Sequence, residues 1–360
     1  MKNLPLVIIA LLLVTGCGAD GAPTPSLLPT ATLAPTITAS PPAAAPQQSI
    51  VDLDALPTIS VDNAAQLSVI TVLQGEPDWV GDVVLDPAGK LLAAAIGGKM
   101  RLWDLTTGSE IAAVGQDITS LAFTPDGTQL VSGGTDKMVR LWDAQTASEV
   151  ADLGQHAWGV WAVAVSPDGH SVASGSVDGT VRLWGLTDSS ENAILRGHTN
   201  DVYALAYSPD GTLLASGGDD TTVRIWNVTT REEQLTIRSH RGGVTDLAFN
   251  PDGTLLVSVG SWIVDDNVAR LWDAVTGELR GELEGHSQDI LAVAFSPDGH
   301  LLVTSSSDGS VRLWDVESQS ELAVLPAPTG FATGLTFSPN GRVLFAGGND
   351  GAVRLWGIQE

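Results

Sequence analysis

The stretch Arg312-Leu313-Trp314-Asp315 decides the fold, because close relatives of it recur along the chain. The tryptophans of the seven copies are separated by 39, 42, 42, 46, 42 and 42 residues, and a period of this length indicates a repeat protein. The sequence therefore predicts one array of seven repeats in residues 66–360. The six other copies are Arg101 to Asp104, Arg140 to Asp143, Arg182 to Gly185, Arg224 to Asn227, Arg270 to Asp273 and Arg354 to Gly357.

Each repeat carries two turns that bound short apolar runs. The first has proline followed by Asp or Asn and then Gly, as in Ser166 to Gly169, and the second is a tight turn such as Val177-Asp178-Gly179. Proline presets φ and glycine accepts a left-handed conformation, which suits a hairpin. Between the turns lie runs of strand length such as Val202 to Tyr207. Each repeat is therefore predicted to form four short antiparallel strands that must stack on their neighbours to bury both faces.

A strand ahead of the first repeat is predicted to close the array. Ser68 to Leu73 has strand character and follows a predicted helical turn at Asp62 to Leu67. At the other end the sequence stops four residues after Trp356, which leaves no room for the fourth strand of the last repeat. We therefore expect the N-terminal strand to complete the last unit.

These elements together resemble those of a known family, the WD40-repeat β-propellers. The resemblance covers residues 66–360 and depends on Gly-His, Ser-Pro-Asp-Gly, Ser-Gly-x-x-Asp and Arg-Leu-Trp-Asp elements in that order. It implies an all-β, seven-bladed propeller with four antiparallel strands per blade around a central channel.

The resemblance also implies a structural role for four histidines, each eleven residues before a turn proline. In the family this histidine joins a strand hydroxyl, a turn aspartate and the motif tryptophan in a buried network, because a buried carboxylate needs donors. Glu76, Val114 and Pro328 replace the histidine in three repeats, and Ala346 replaces the hydroxyl in the last. The four expected sets are His156, Ser174, Asp178 and Trp184; His198, Ser216, Asp220 and Trp226; His240, Ser258, Asp266 and Trp272; and His286, Thr304, Asp308 and Trp314.

The N-terminal region predicts attachment to a membrane. Leu4 to Val14 is an apolar run too short to span a bilayer, and Val14-Thr15-Gly16-Cys17 resembles the lipobox of bacterial lipoproteins. Lipidation of Cys17 would hold the protein at the extracytoplasmic face of the cell membrane. The alternatives are an ordinary cleaved signal peptide and an intracellular protein without one. We assign residues 1–16 to the signal peptide, 17–48 to a tether rich in Pro, Ala and Thr, 49–65 to a lead-in segment and 66–360 to the propeller.

Composition and missing motifs exclude several function classes. The formal net charge of −25 repels phosphate backbones, so nucleic acid is not an expected partner. No nucleophile elbow, phosphate-binding loop or His-Glu-x-x-His motif is present, so the sequence predicts a protein that is not an enzyme and has no catalytic, cofactor or metal site. We also expect the protein to be monomeric. A metal site formed by Asp117, Asp201 and Asp289 is an alternative, but their spread around seven units favours independent surface charges.

Aromatic residues outside the repeat motif indicate where a protein or peptide partner binds. By the resemblance they lie at one end of the propeller, where an exposed apolar insertion, Ser261 to Val264, also falls. Aromatic anchors rimmed by carboxylates suit an apolar or basic segment. Local packing of Trp158 and Trp262 remains an alternative, as does a small-ligand receptor or enzyme that uses the central channel. The predicted partner-binding residues are Trp79, Trp158, Trp161, Tyr203, Trp262, Phe331, Asp117, Asp201 and Asp289.

Overall fold

The fold was analysed in a computed structural model that describes residues 52–238, 240–260, 266–326 and 330–359. Within these ranges the chain forms twenty-eight strands in seven antiparallel four-stranded sheets, which confirms the predicted seven-bladed propeller. Two short 3-10 helices, Leu53–Ala55 and Ala64–Gln66, precede the first strand. No helix in the described ranges has the length and apolar character needed to cross a membrane.

Six blades are each built from four consecutive strands, of which the first lies nearest the channel and is called the inner strand. Blades one to three are β2 Val80–Leu85, β3 Leu91–Ile96, β4 Lys99–Asp104 and β5 Ser109–Val114; β6 Ile118–Phe123, β7 Gln129–Gly134, β8 Met138–Asp143 and β9 Glu149–Gln155; and β10 Val160–Val165, β11 Ser171–Ser176, β12 Thr180–Gly185 and β13 Glu191–Arg196. Blades four to six are β14 Val202–Tyr207, β15 Leu213–Gly218, β16 Val223–Asn227 and β17 Glu233–Ile237; β18 Val244–Phe249, β19 Leu255–Gly260, β20 Val268–Asp273 and β21 Leu279–Glu284; and β22 Ile290–Phe295, β23 Leu301–Ser306, β24 Ser310–Asp315 and β25 Glu321–Pro326.

The seventh blade joins the two ends of the propeller. Its strands are β26 Ala332–Phe337, β27 Leu344–Gly348, β28 Ala352–Gly357 and, from the N-terminal side, β1 Ser68–Gln74. Strand β1 pairs antiparallel with β28, with Val72 opposite Arg354. The inner strand β26 also packs against β2, so the ring is closed as the sequence predicts.

The Ser-Pro-Asp-Gly turns hold each inner strand to the second strand of its blade. In blade three the Ser166 hydroxyl donates to Asp168 Oδ1 at 2.6 Å, and the Gly169 N–H donates to the Ser166 carbonyl at 2.8 Å. Gly169 has φ of 71°, which glycine adopts without a steric penalty. All such turns lie at one end of the propeller, called the turn face; the opposite end, where the chain enters each inner strand, is called the mouth face.

The apolar core lies between neighbouring blades and not within one blade. A representative cluster joins Val131 and Leu141 of blade two to Val160 and Val172 of blade three, with the motif Trp184 among them. Because each tryptophan packs against the preceding blade, burial of its large apolar ring depends on the stacking of the repeats.

Residues 52–65 of the lead-in segment attach to blade seven at the turn face. Ile59 is buried, and its N–H donates to the Gly341 carbonyl at 2.9 Å. The Arg342 guanidinium donates to the Leu56 carbonyl at 2.7 Å. The chain therefore enters the propeller at the end opposite the mouth face. The predicted signal peptide, Cys17 and tether lie outside the described residues.

Candidate partner-binding face

Four buried networks occupy the histidines. In blade three, His156 Nδ1 lies 3.1 Å from Asp178 Oδ2 and its Nε2 lies 2.7 Å from Ser174 Oγ, while Trp184 Nε1 donates to the same hydroxyl at 2.7 Å. The Ala157 N–H also donates to Asp178. The same set is assembled by His198, Ser216, Asp220 and Trp226; by His240, Ser258, Asp266 and Trp272; and by His286, Thr304, Asp308 and Trp314.

The electrostatics of three of these networks, those of blades three, five and six, favour a neutral imidazole beside an ionised carboxylate. Burial lowers the pKa of His156, His240 and His286. Burial alone would raise the pKa of Asp308, but hydrogen bonds from Ser310 and from a backbone N–H lower it to about 2. A neutral imidazole fixed on both ring nitrogens holds strands together, and its burial separates it from any substrate.

The repeats that lack the histidine show which hydrogen bonds form without it. Blade two retains the hydroxyl, and Trp142 Nε1 donates to Ser132 Oγ at 2.8 Å without a histidine. In blade seven, Ala346 offers no acceptor, and Trp356 Nε1 is buried without a hydrogen-bond partner among the described residues. Glu76, which replaces the first histidine, lies 3.3 Å from Arg101. Pro328 lies outside the described residues.

Most motif arginines pair with a glutamate on the outer strand of the same blade, a feature that sequence reasoning missed. Arg101 lies 3.1 Å from Glu110, and Arg182 lies 2.8 Å from Glu191. The two partners are nine residues apart in both cases, a fixed spacing that could have revealed the pairs. These contacts explain why the positive charge of the motif is not available to an anionic partner.

Backbone hydrogen bonds fix the rim of the channel at the mouth face. In six blades the turn between the second and third strands donates an N–H to the carbonyl of the residue eight positions before the turn proline, over 2.8 to 3.3 Å. The positions of these rim residues are therefore set by the blade framework. They are Trp79, Asp117, Gly159, Asp201, Asp289 and Phe331.

Two tryptophans are exposed at this face. Trp158 is 60% exposed, and the Lys137 ammonium lies 5.1 Å from the centroid of its ring. Trp79 is 40% exposed, and the tip of its ring lies against Gly81, where a Cβ atom would come within 3.0 Å of it. The exposure of Trp158 favours a surface role over the alternative of local packing. Trp262 and the insertion around it lie outside the described residues.

Between blades three and four, two aromatic rings adjoin two carboxylates. The Trp161 and Tyr203 ring centroids are 6.2 Å apart. Burial and then the charge of Asp219 raise the pKa of Asp201, while the side chains of Trp161 and Tyr203 oppose this shift. The Trp161 indole N–H is near Asp201 but outside ordinary hydrogen-bond geometry. Asn200 donates to Asp219.

The remaining predicted rim residues are not brought together. Asp117, in blade two, is exposed and has φ of 60°, while Asp289 is in blade six and Phe331 in blade seven. No group of three His, Cys, Asp or Glu residues in the described ranges is close enough to hold a metal ion. Lys137 and Asp219 were missed by sequence reasoning. Lys137 has φ of 79° where blade three has Gly179, and this substitution in a tight turn was the available signal.

Comparison with known families agrees with this architecture. The sequence model described as WD domain, G-beta repeat matches residues 110–143, 147–185, 189–227, 231–273, 277–315 and 319–357. The chain belongs to the WD40 family. The propeller fold of this family is generally used as a scaffold for interactions between proteins, and its members are typically not enzymes. No curated protein sequence matches the chain.

The first blade of this WD40 propeller diverges most from the family pattern. The matches begin at residue 110, so strands β1 to β4 lie outside them. The first turn has Ala88 where others have Asp or Asn, the second turn is shortened to Gly97-Gly98, and Ala94 stands at the position of the strand hydroxyl. Strand pairing still forms the blade, because backbone hydrogen bonds and apolar packing do not require those side chains.

Two inner-strand carboxylates of the WD40 propeller were also missed. Asp82 accepts the Leu121 N–H at 2.9 Å, and Asp246 accepts the Val293 N–H at 2.8 Å, so each carboxylate joins its blade to the next. Burial raises both pKa values, that of Asp246 to about 7, and the charge of Asp82 contributes to the latter shift. The sequence feature that could have revealed these two residues is an Asp five residues before the turn proline. Three other blades have Ala at this position, as at Ala204.

Proposed function

We propose that this protein is a lipid-anchored, extracytoplasmic scaffold that binds a protein or peptide partner at the mouth face. The observation that carries the proposal is the 60% exposure of Trp158 at an end of the propeller whose rim is fixed by the blade framework. Exposed aromatic side chains on a rigid frame supply large contact areas at low entropic cost.

The charge of the protein restricts the class of partner that it can bind. The net charge of −25 and the rim carboxylates Asp117, Asp201 and Asp289 attract basic segments and repel acidic ones. The aromatic residues add apolar contact area. We therefore infer a partner with apolar or basic segments and not a nucleic acid.

Anchoring is inferred from the sequence around Cys17. A lone cysteine directly after a short apolar run favours lipidation at that residue, which would keep the propeller at the outer face of the cell membrane. The test is fractionation of wild type and Cys17→Ser: the substitution should move the protein from the membrane to the soluble fraction. Equal membrane association of both proteins would contradict the anchor.

An enzyme or small-ligand receptor in the channel is less well supported. Asp82 and Asp246 have raised pKa values, but their carboxylate oxygens accept backbone N–H groups at 2.8 to 2.9 Å. A carboxylate whose oxygens accept backbone N–H groups serves to hold neighbouring strands together. It is therefore a poor candidate for a catalytic base.

A cross-linked pull-down from the native membrane fraction tests partner binding. The test variant carries Trp79→Ala and Trp158→Ala, which remove exposed rings and should leave the fold intact. The matched control carries Val275→Ala and Leu279→Ala, which remove apolar side chains that are 75% and 48% exposed outside the mouth face. A partner should be recovered with wild type and control and lost with the test variant. Recovery of the same proteins with all three, or of none with wild type, would refute the proposal.

A further inference from the structure

The cluster between blades three and four has the chemistry of a binding pocket for a positive charge. It consists of Trp161 at the start of inner strand β10, Tyr203 on inner strand β14, and the carboxylates Asp201 and Asp219. We call these four residues the acidic-aromatic pocket. The Asp219 N–H donates to the Asp201 carbonyl at 2.8 Å, so the two acidic residues are held side by side by the backbone.

The two carboxylates have no cation of their own in the described part of the chain. The nearest ion pairs join Arg224 to Asp220 and Glu233, and His198 to Asp220, and none involves Asp201 or Asp219. Burial and the neighbouring negative charge of Asp219 raise the pKa of Asp201. Two adjacent, partly buried negative charges without a counter-charge are costly, and a cation would relieve that cost.

One contact between a cation and an aromatic ring already forms within the chain at the mouth face. In the neighbouring loop, the Lys137 ammonium lies 5.1 Å from the centroid of the Trp158 ring. The face of an indole or phenol ring attracts positive charge through its quadrupole. The acidic-aromatic pocket offers the same kind of ring twice, at Trp161 and Tyr203, and adds two carboxylates.

We propose that the acidic-aromatic pocket binds a positively charged side chain, arginine or lysine, from a basic segment of the partner protein. The inference rests on the proposed function, because it places one contact of that partner within the mouth face. The guanidinium or ammonium group would pair with Asp201 and Asp219 and lie against the rings of Trp161 and Tyr203. Arginine fits best, since its planar group can stack on a ring and donate to both carboxylates at once.

The pocket is tested with small probes on the full-length chain. The probes are N-acetyl-arginine amide and its uncharged counterpart N-acetyl-citrulline amide, and the readout is the indole N–H signal of Trp161 in the nitrogen-labelled protein. Substitution Trp161→Phe assigns that signal. We expect a saturable shift with the arginine probe, at least about tenfold weaker binding of the citrulline probe, and weaker arginine binding at high salt. Equal binding of both probes, or no saturable shift, would overturn the inference.

Variants separate the pocket from the rest of the protein surface. Asp201→Asn combined with Asp219→Asn should weaken arginine binding by about tenfold or more, because both charges are removed while the side-chain shapes are kept. Glu232→Gln combined with Glu317→Gln, on exposed turn-face loops of blades four and six, is the matched control and should bind as wild type does. Unchanged indole signals of the motif tryptophans verify the fold, and if the double variant does not fold, Asp219→Asn alone is used. Wild-type affinity in the folded variant contradicts the pocket.

The pull-down distinguishes failure of the pocket from failure of the scaffold function. If the asparagine variant still captures the partner that Trp79→Ala with Trp158→Ala loses, the mouth face binds a protein and the pocket inference is wrong. If the arginine probe binds with the expected selectivity but wild type captures no protein, the pocket stands as a cation site and the scaffold proposal is wrong.

Discussion

Substitution Ala346→Ser should stabilise the closing blade. Trp356 Nε1 is buried there without a partner, whereas in blades two to six a Ser or Thr hydroxyl accepts the equivalent N–H at 2.7 to 2.9 Å. Blade two is the relevant template, because Ser132 accepts the Trp142 N–H without help from a histidine. A serine at position 346 should therefore supply the missing acceptor.

The size of the stabilisation follows from the free-energy difference between a buried N–H that has a hydrogen-bond acceptor and one that has none. A net hydrogen bond is worth about 1 kcal/mol, and leaving a buried donor unpaired costs about 1 to 3 kcal/mol. Burial of the new hydroxyl offsets part of this gain. We expect Ala346→Ser to raise the free energy of unfolding by about 1 kcal/mol, which corresponds to a Tm increase of about 2 °C in a domain of this size.

The reciprocal substitution provides the control. Ser132→Ala creates in blade two the unpaired indole of blade seven and should lower the free energy of unfolding by about 1 to 2 kcal/mol. The assay is urea denaturation followed by tryptophan fluorescence, at constant pH, for wild type, both single variants and the double variant. The two sites are in separate blades, so their effects should add. The reasoning is refuted if Ala346→Ser lowers the unfolding midpoint or if Ser132→Ala leaves it unchanged.

Three further predictions concern stability. His198→Ala should cost about 3 kcal/mol in thermal denaturation, because it leaves a buried carboxylate without its imidazole, whereas the exposed control His170→Ala should cost less than about 0.5 kcal/mol. The folded protein retains the Asp246 proton up to a pKa of about 7, above the unfolded value, so the contribution of Asp246 to stability should fall as pH rises from 4 to 8. Measured against Asp246→Ala, that loss should amount to at most about 4 kcal/mol, and equal pH slopes would contradict it. Arg342→Ala should release the lead-in at the Leu56 carbonyl and speed its cleavage in limited proteolysis, and an unchanged cleavage rate would show that the contact does not hold it.

The fold was predictable because the deciding signals are local and repeated. The Arg-Leu-Trp-Asp stretches and the proline turns each recur with the repeat period, and a closed ring follows once β1 is assigned to blade seven. The histidine sets followed from the family resemblance in the same way. The motif and turn residues are predictable because each blade places them under the same backbone constraints.

The candidate site was only partly predictable, because it depends on how adjacent blades differ. Asp201 and Tyr203 were predicted from the sequence as partner-binding residues, but the contribution of Asp219 depends on a turn that folds back onto the preceding loop. Asp82 and Asp246 were missed because their role is to accept an N–H from the next blade. The sequence period predicts the features that all repeats share. A contact between two repeats that differ in sequence can be found only in the structure.

The lead-in segment attaches to the propeller at the turn face, which is the end opposite Trp158. Ile59 and Leu56 are bound to the turn of blade seven, so residue 52 enters at the turn face whatever path the preceding residues take. If Arg342→Ala frees the lead-in segment and partner capture in the pull-down is unaffected, the contact between Arg342 and Leu56 fixes where the chain enters the propeller. That contact then takes no part in partner binding.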